Sequence, residues 1–585
     1  MNKRDYDILL SLAQSPAANQ RELAGRCGIS LGALNQSLKE LRAAGYLTAD
    51  LALTPNAQEL MEERKPRSAV ILAAGFGMRM VPINLETPKA LLKVRGEVLI
   101  ERLIRQLHEV GVTDIHVVVG FMKERFEYLI DAFGVHLVVN PEYSRKNNLH
   151  SLALVSRGLT NAYVIPCDLW CAENPFNTRE LYSWYMVSDT SSPESNVRVN
   201  RKNQLVKTDA NGNKMIGISY LAQPEADILQ AKIRKMRTES SFDGAFWEEA
   251  LYDKDHMMVY ARVSPEANIV EINTYEQLRE IDAGSGNLKS DAIAAITQAL
   301  CIQESEIENI TVLKKGMTNR SFLFQAKGRK YIMRIPGEGT DKLINRAEEA
   351  AVYAVLQGRG ICDNVAYMNP GNGYKITEFL EGARVCDPEN PEDVQKCMAK
   401  LRAFHNQRLK VEHTFDIFGQ IQYYEDLWNG IPSDYLDYSA TKERVLSLLP
   451  FIQAQKCEYC LTHIDAVPDN FLFVPGADAE EIRLIDWEYA GMQDPHVDIA
   501  MFCVYAMYPR EQVEALIDAY FPEGCCETIR AKIYCYIASC GLLWSNWCEY
   551  KRILGVEFGE YSLRQYRFAK EYYKIAKTAI EKLNG

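Results

Sequence analysis

Apolar and polar residues alternate in helical period through the first 66 residues, interrupted at Gly25-Arg26-Cys27-Gly28 and at Ala43-Ala44-Gly45-Tyr46. The pattern predicts helices over 20–27 and 30–43, the second capped by Ser30, and then a short strand-like stretch over 46–54. A charged, proline-broken segment over 62–68 reads as a linker. From Ala69 the pattern changes to continuous apolar runs at 69–72, 115–119, 135–139 and 162–166, separated by helical stretches at 99–110, 123–132 and 151–157. Such alternation predicts a doubly wound parallel sheet. After Ala283-Gly284-Ser285-Gly286-Asn287, a second linker, a strand-rich lobe is expected over 310–313, 321–325 and 330–335, and the chain is mainly helical from Cys397 onward. The expected limits are therefore 1–66, 67–285 and 286–585, an α/β multidomain protein in which a small β lobe precedes a large helical one.

Length supports that division, because 585 residues exceed what one apolar core can organise. With 47% hydrophobic and 25% charged residues, the whole chain reads as folded. No run approaches the ~20 apolar residues of a membrane span. Met1-Asn2-Lys3-Arg4-Asp5 leads into no signal-peptide core, so a cytoplasmic protein without membrane association is expected. The 15 cysteines lack metal-ligand spacing: the Cys457 to Cys460 pair has no second pair to match it. They read as reduced core thiols. A net charge of −12 argues against a polyanion binder overall, while leaving room for local phosphate sites.

The first chemical signature is Leu72-Ala73-Ala74-Gly75-Phe76-Gly77-Met78-Arg79, with Thr87-Pro88-Lys89 following. A glycine turn directly after a buried strand lets backbone amides approach a polyphosphate. Met80 stands where a dinucleotide fingerprint has its third glycine, and there is no GxxxxGK[ST]. The combined pattern, including Ala90-Leu91-Leu92-Lys93-Val94 and Gly96, resembles the sugar-nucleotide pyrophosphorylase and cytidylyltransferase family. The resemblance implies that Leu72, Ala74, Gly75, Gly77 and Gly120 surround the nucleotide. It further implies that Arg79 holds the leaving phosphates and Lys89 bridges the α-phosphate and the attacking phosphate. Two cations suit a transition state whose charge spreads over phosphorus and pyrophosphate. Asp168 ends an apolar strand, where ligands sit in such sheets, and fits the family's magnesium-binding aspartate. Near the domain's end Glu271-Ile272-Asn273 carries Asn where relatives more often have Asp; Asn273 offers Mg²⁺ a carbonyl without charge, and Glu271 is the compensating acid. Asn140-Pro141-Glu142-Tyr143 with Asn147-Asn148-Leu149-His150-Ser151 resembles the branch acting on phosphocholine with CTP. On that basis Asn148, Ser151, Phe246 and Trp247 are candidate contacts to the phosphorylated amine, the two aromatics standing equally open to a core role.

The second signature is His463-Ile464-Asp465 with Asn470, followed by Ile485-Asp486-Trp487-Glu488. Four residues between Asp465 and Asn470 is kinase spacing: Asp465 accepts the hydroxyl proton while Asn470 and Asp486 reach the metal. The absence of Asp-Phe-Gly and Ala-Pro-Glu separates it from protein kinases. It resembles the choline, ethanolamine and aminoglycoside kinase group. Lys315-Gly316-Met317-Thr318-Asn319-Arg320-Ser321 resembles the phosphate-covering loop of bacterial choline kinases, contributing Asn319 and Ser321. Arg334 takes the place of the strand lysine, with Glu349 as its acidic partner and Glu348 the alternative. Trp487, Glu488, Trp544, Trp547, Tyr561 and Tyr566 fall where such kinases build an amine pocket, and aromatic faces with a carboxylate suit a trimethylammonium group.

The first 66 residues resemble a winged helix-turn-helix with a reduced wing. No basic residue lies between Ser30 and Leu38, and residues 1–67 hold nine Lys or Arg against eight Asp or Glu. DNA binding and a structural or dimerising role are both open to it. The expected protein is thus a winged helix, a doubly wound nucleotidyltransferase domain and a bilobal kinase-like domain on one chain. It would phosphorylate choline with ATP and convert phosphocholine and CTP to CDP-choline, with Mg²⁺ in both domains. The alternatives are ethanolamine or another amino alcohol, or a transcription regulator responding to choline metabolites. Homo-oligomers are compatible with this reading.

Overall fold

The computed structural model describes residues 1–585 except 18, 86, 314–318, 338–342, 456, 477–478, 557 and 585. Two compact units form: Met1–Ala294 with Ile310–Val312, and Ala295–Asn309 with Leu313–Gly585.

The first unit opens with helices α1 (Lys3–Gln14), α2 (Gln20–Arg26), α3 (Leu31–Ala43) and α4 (Pro55–Glu63). Each begins where a side chain can take up an unpaired helical N–H: Asn2 with Asp5 forms a capping box, Asn19 caps α2, and Ser30 Oγ accepts the Ala33 N–H at 3.2 Å. Thr54 caps α4, whose first residue is Pro55. A single bridge between Leu47 and Leu53 stands for the wing.

These helices are not tethered loosely. Ile8, Leu9, Leu34 and Leu38 belong to the same apolar core as Tyr163, Trp184 and Tyr220 of the following sheet. Tyr182 stacks on Tyr6 at 6.1 Å between ring centres and donates its hydroxyl to Asp7 at 2.9 Å. The charged segment expected as a linker is pinned as well. Arg64 donates to the Leu181 carbonyl at 2.5 Å, Asn161 Nδ2 donates to the Glu63 carbonyl at 2.6 Å, and the Tyr220 hydroxyl donates to the Arg64 carbonyl. Its composition reads as solvated, yet its peptide groups find partners on the sheet. On α3, Asn35, Gln36, Lys39 and Glu40 remain exposed.

The sheet strands are β1 (Ser68–Ala73), β2 (Asp114–Val119), β3 (His136–Val139), β4 (Ala162–Pro166), β5 (Trp184–Ser192), β6 (Val197–Val199), β7 (Gln204–Lys207), β8 (Gly212–Leu221) and β9 (His256–Ser264). Their order is β3-β2-β1-β4-β8-β5-β9-β7-β6. The first four are parallel, with Leu72 opposite Val118 and Pro166, as the doubly wound pattern predicts. Beyond β4 the sheet is mixed, since β8 runs antiparallel to both β4 and β5. The turns between β5 and β8 are too short for a crossover helix, so those strands can only reverse. Helices α5 (Leu99–Glu109) and α6 (Asn148–Leu154) flank the parallel half.

The second unit has a small sheet ordered β10 (Asn319–Ala326), β11 (Arg329–Pro336), β13 (Lys375–Glu378) and β12 (Val365–Met368), accompanied by α7 (Arg346–Leu356). A helical lobe follows, containing α8 (Pro391–His405), α9 (His496–Tyr505), α10 (Glu527–Ile553) and α11 (Glu560–Asn584). From Ala531 to Lys551 every residue of α10 is buried, including Lys532 and Asn546, which find hydrogen-bond partners, and the helix forms the axis on which α9 and α11 pack. Among the described residues no helix is long and apolar enough to cross a membrane.

Candidate active sites

The glycine turn leaves the carboxyl end of β1. Gly77 adopts φ +65°, and a Cβ there would lie 3.3 Å from Lys89 Cβ, so glycine meets both the conformation and the close approach. Gly120 ends the neighbouring strand, and a Cβ there would fall 2.7 Å from Tyr143 and 2.8 Å from the Ala74 carbonyl. Leu72 and Ala74 are buried beneath the turn, while a Cβ on Gly75 would meet open space. Asn84, which the sequence did not single out, is fully buried and donates to the carbonyls of Phe76 and Gly77 at 3.3 and 3.2 Å, fixing the turn from behind.

Residues up to 194 positions apart converge in front of this turn. Lys89 Nζ pairs with Asp168 and donates to Asn273 Oδ1 at 2.6 Å; Arg79 Nη2 donates to the same oxygen at 3.2 Å. The second Asp168 oxygen is buried with no hydrogen-bond partner among the described residues. Burial and then the Asp168 charge push the Glu271 carboxyl up from its ordinary value. Asn273 thus offers these two cations an oxygen acceptor that carries no charge.

The expected amine contacts divide. Asn148 Oδ1 accepts the Trp247 N–H at 2.8 Å, and Ser151 Oγ accepts from Asn140 at 3.0 Å, so both hold loops together. Phe246 is 57% exposed, whereas Trp247 is a core residue packed 6.0 Å from Tyr185. Next to Trp247 stands Glu248, which the sequence reading sets beside the aromatic pair without assigning it to the site. Its carboxyl accepts the Tyr185 hydroxyl at 3.1 Å, its second oxygen is buried without a partner among the described residues, and burial pushes it up to about 7. The one sign in the sequence was its place directly after Phe246 and Trp247.

In the second unit a cavity of about 420 Å³ is lined by Asn319, Ser321, Arg334, Asp465, Asn470, Asp486 and Glu488. Asn470 Nδ2 donates to the Asp465 backbone carbonyl at 2.8 Å and to its carboxylate at 3.1 Å, so the four-residue spacing closes a tight loop. Ile464 and Asp486 take φ +69° and +65°, a left-handed backbone that only surrounding contacts sustain in non-glycine residues. For Ile464 those contacts come from the fully buried Asp498, which accepts the N–H of His463 at 2.9 Å, of Ile464 at 2.7 Å, and His405 Nε2 at 2.9 Å. Burial, then the negative charges of Asp486 and Glu488, push Asp465 up to about 8. Burial drives His463 down to about 4, so it is neutral at ordinary pH.

Arg334 grips Glu349 bidentately at 2.5 and 2.7 Å, and Glu348 is exposed, which settles the choice of partner. Although burial opposes ionisation, Lys375 and Arg334 hold the Glu349 carboxyl down at about 2. Glu488 lies 3.3 Å from Arg346 and accepts from Asn319 at 2.9 Å. Residues 315–318 of the phosphate-covering loop lie outside the described residues.

Trp544, Trp547 and Tyr561 line the cavity, joined by Tyr489 and Tyr505. Trp544 stands edge-on to Trp547 at 5.7 Å and to Tyr489 at 5.8 Å. Trp487 lies elsewhere: fully buried, its indole donates to the Leu484 carbonyl at 2.9 Å and its ring packs 4.3 Å from His463. It faces the core, while Asp486 and Glu488 on either side of it line the cavity. Tyr566 also leaves the cavity, stacking on Tyr435 at 3.8 Å. Asp498, Lys375, Tyr489 and Tyr505 were not legible as site residues.

Comparison with known proteins follows the same division. Residues 1–48 match the family described as winged helix-turn-helix DNA-binding, 69–185 the MobA-like NTP transferase domain, and 309–531 the phosphotransferase enzyme family. A choline-phosphate cytidylyltransferase of Streptococcus pneumoniae is 32% identical over 228 residues, covering 37% of this chain and 96% of that protein. Protein LicA of Haemophilus influenzae is 27% identical over 267 residues, covering 43% of this chain and 96% of the relative. The crystal structure of choline kinase LicA from Streptococcus pneumoniae aligns with 48% of this chain and 96% of its own at 27% identity, with a TM-score of 0.42. The chain is a transferase that belongs to the cytidylyltransferase family, with a preceding segment that matches a winged-helix model and a following one that matches the phosphotransferase enzyme model.

Proposed function

We propose that the chain performs two successive reactions in the cytoplasm: phosphorylation of choline by ATP, then condensation of phosphocholine with CTP to CDP-choline and pyrophosphate. The observation that carries this reading is the kinase-like cavity, where Asp465 and Glu488 share one space with the rings of Tyr489, Tyr505, Trp544, Trp547 and Tyr561. Ring faces attract a quaternary ammonium that has no N–H to donate. Relatives of the two halves named for choline kinase and choline-phosphate cytidylyltransferase support the pairing.

In the first reaction Asp465 takes the choline hydroxyl proton as that oxygen attacks the γ-phosphorus of ATP, and the bond to the β-phosphate oxygen breaks to release ADP. Asn470 orients Asp465, and Asp498 holds the loop that carries it. In the second, a phosphate oxygen of phosphocholine attacks the α-phosphorus of CTP and pyrophosphate leaves. Lys89 bridges the attacking and α-phosphates, Arg79 faces the leaving group, and the turn at Gly75 and Gly77 receives the nucleotide. The open oxygen of Glu248, with Tyr185 beside it, suits the cationic end of the substrate.

Both sites offer donors that fit Mg²⁺: the unpartnered Asp168 oxygen with Glu271 and the Asn273 carbonyl in one, Asp486 and Asn470 in the other, all hard oxygen ligands. Bound there, Mg²⁺ would supply charge neutralisation on the phosphates. We place the domain limits near residues 66 and 285. Regulation of transcription through α3 is less supported, since its exposed Lys39 is offset by Glu40.

Phosphorus NMR of the purified protein with choline, ATP, CTP and Mg²⁺ tests the reading. CDP-choline from the wild type, phosphocholine alone from Lys89→Ala and neither from Asp465→Ala are expected. Faster turnover of ethanolamine than choline would move the substrate to primary amines, and no turnover of either would overturn the proposal.

A further inference from the structure

The small sheet of the second unit presents two buried cations to the cavity. Arg334 on β11 and Lys375 on β13 are direct cross-strand partners, 5% and 6% exposed. Both line the space that holds Asp465 and Asp486. Their hydrogen bonding differs sharply. Both terminal nitrogens of Arg334 are committed to Glu349, and one of them also meets the Gly373 carbonyl at 3.3 Å. Its Nε is buried and has no acceptor among the described residues. Lys375 Nζ makes one hydrogen bond, to the Tyr353 hydroxyl at 2.7 Å, and stands 3.7 Å from Glu349, beyond hydrogen-bond reach. Two of its three N–H groups therefore have no acceptor among the described residues.

A buried ammonium short of acceptors is costly unless a ligand supplies them. In kinases a single strand lysine serves two purposes, pairing with a helix glutamate and binding nucleotide phosphates. An arginine fork closes on a carboxylate with both arms, which fixes the helix firmly and leaves little for a phosphate. We propose that these duties are divided here: Arg334 anchors α7 through Glu349, and Lys375 directs its free N–H groups to the phosphate oxygens of the nucleotide. The cross-strand register puts the second cation beside the first, so the pair replaces what one lysine would do. Sequence alone shows Lys375 merely as a lysine in a buried strand.

The assignment rests on the phosphotransferase reading of this unit, and the test separates the two. Calorimetric titration of the full chain with Mg²⁺ and ATP, and in parallel with adenosine, compares a phosphate-bearing ligand with one lacking phosphate. Lys375→Met is expected to weaken ATP binding at least tenfold and adenosine binding less than twofold, with Lys375→Arg recovering part of the loss. Tyr353→Phe, which removes only the resident hydrogen bond, should leave ATP affinity within threefold. Unchanged ATP affinity in Lys375→Met would overturn the assignment. So would equal loss of ATP and adenosine, which makes Lys375 a counter-ion of the fold. A wild-type chain that binds no ATP would count against the kinase reading itself and take this assignment with it.

Discussion

Replacing Asp498 by alanine is the sharpest perturbation of the kinase-like site that touches no reacting group. The carboxylate is wholly buried and accepts three hydrogen bonds, from the His463 and Ile464 amides and the His405 ring. Its removal leaves two buried amides unsatisfied, at roughly 1–3 kcal/mol each. Ile464, a β-branched residue at φ +69°, also bears a backbone strain of about 1–2 kcal/mol that these bonds sustain. Relaxing Ile464 relieves both costs, so the loop is expected to rearrange and carry Asp465 away from the attacking hydroxyl. If about 3 kcal/mol of positioning is lost at roughly 1.4 kcal/mol per decade, kcat for choline phosphorylation falls about a hundredfold. Asp498→Asn keeps one acceptor oxygen and should fall between. Turnover is read by coupled ADP release, with CTP-dependent pyrophosphate release from the same preparation as the reference for intact protein. A kcat within threefold of wild type in Asp498→Ala, with the reference reaction unchanged, would refute the positioning argument.

Lys89→Met, which strips Asp168 and Asn273 of their shared cation, should lower CDP-choline formation by about a hundredfold or more while phosphocholine accumulates in phosphorus NMR. The Glu248 carboxyl, raised to about 7, keeps its proton in the folded state where the unfolded chain has lost it. Its contribution to stability is present below pH 4.5 and lost as pH rises to about 7, a swing of roughly 3 kcal/mol. Glu248→Gln should therefore flatten the fall in melting temperature of the first unit over that interval, and an unaltered slope would refute the assignment. Trp547→Ala should raise the KM for choline about tenfold, by loss of a ring face worth roughly 1–2 kcal/mol, with smaller change for ethanolamine. Equal changes for both amines would mean that the ring serves packing instead.

The parallel half of the large sheet, the capped helices of the first 66 residues and the Asp465–Asn470 loop were all legible along the chain. Each depends on neighbours within a few residues: a run of apolar side chains, a serine before a helix, a spacing that closes one loop. The glycine turn after β1 was legible for the same reason, since Gly77 meets a local conformational demand. Contacts across many residues were not. Tyr489 faces the cavity and Trp487 the core, and nothing in the order of residues announces which does which. Lys375 becomes a partner of Arg334 only when two strands whose paired residues lie 41 to 47 positions apart in sequence take their register. The segment over 62–68 has the composition of a linker, and only Asn161, Leu181 and Tyr220 turn it into a fixed joint. Short-range preference is written residue by residue, whereas burial, charge pairing and the direction of a side chain depend on which distant surface comes to lie against it.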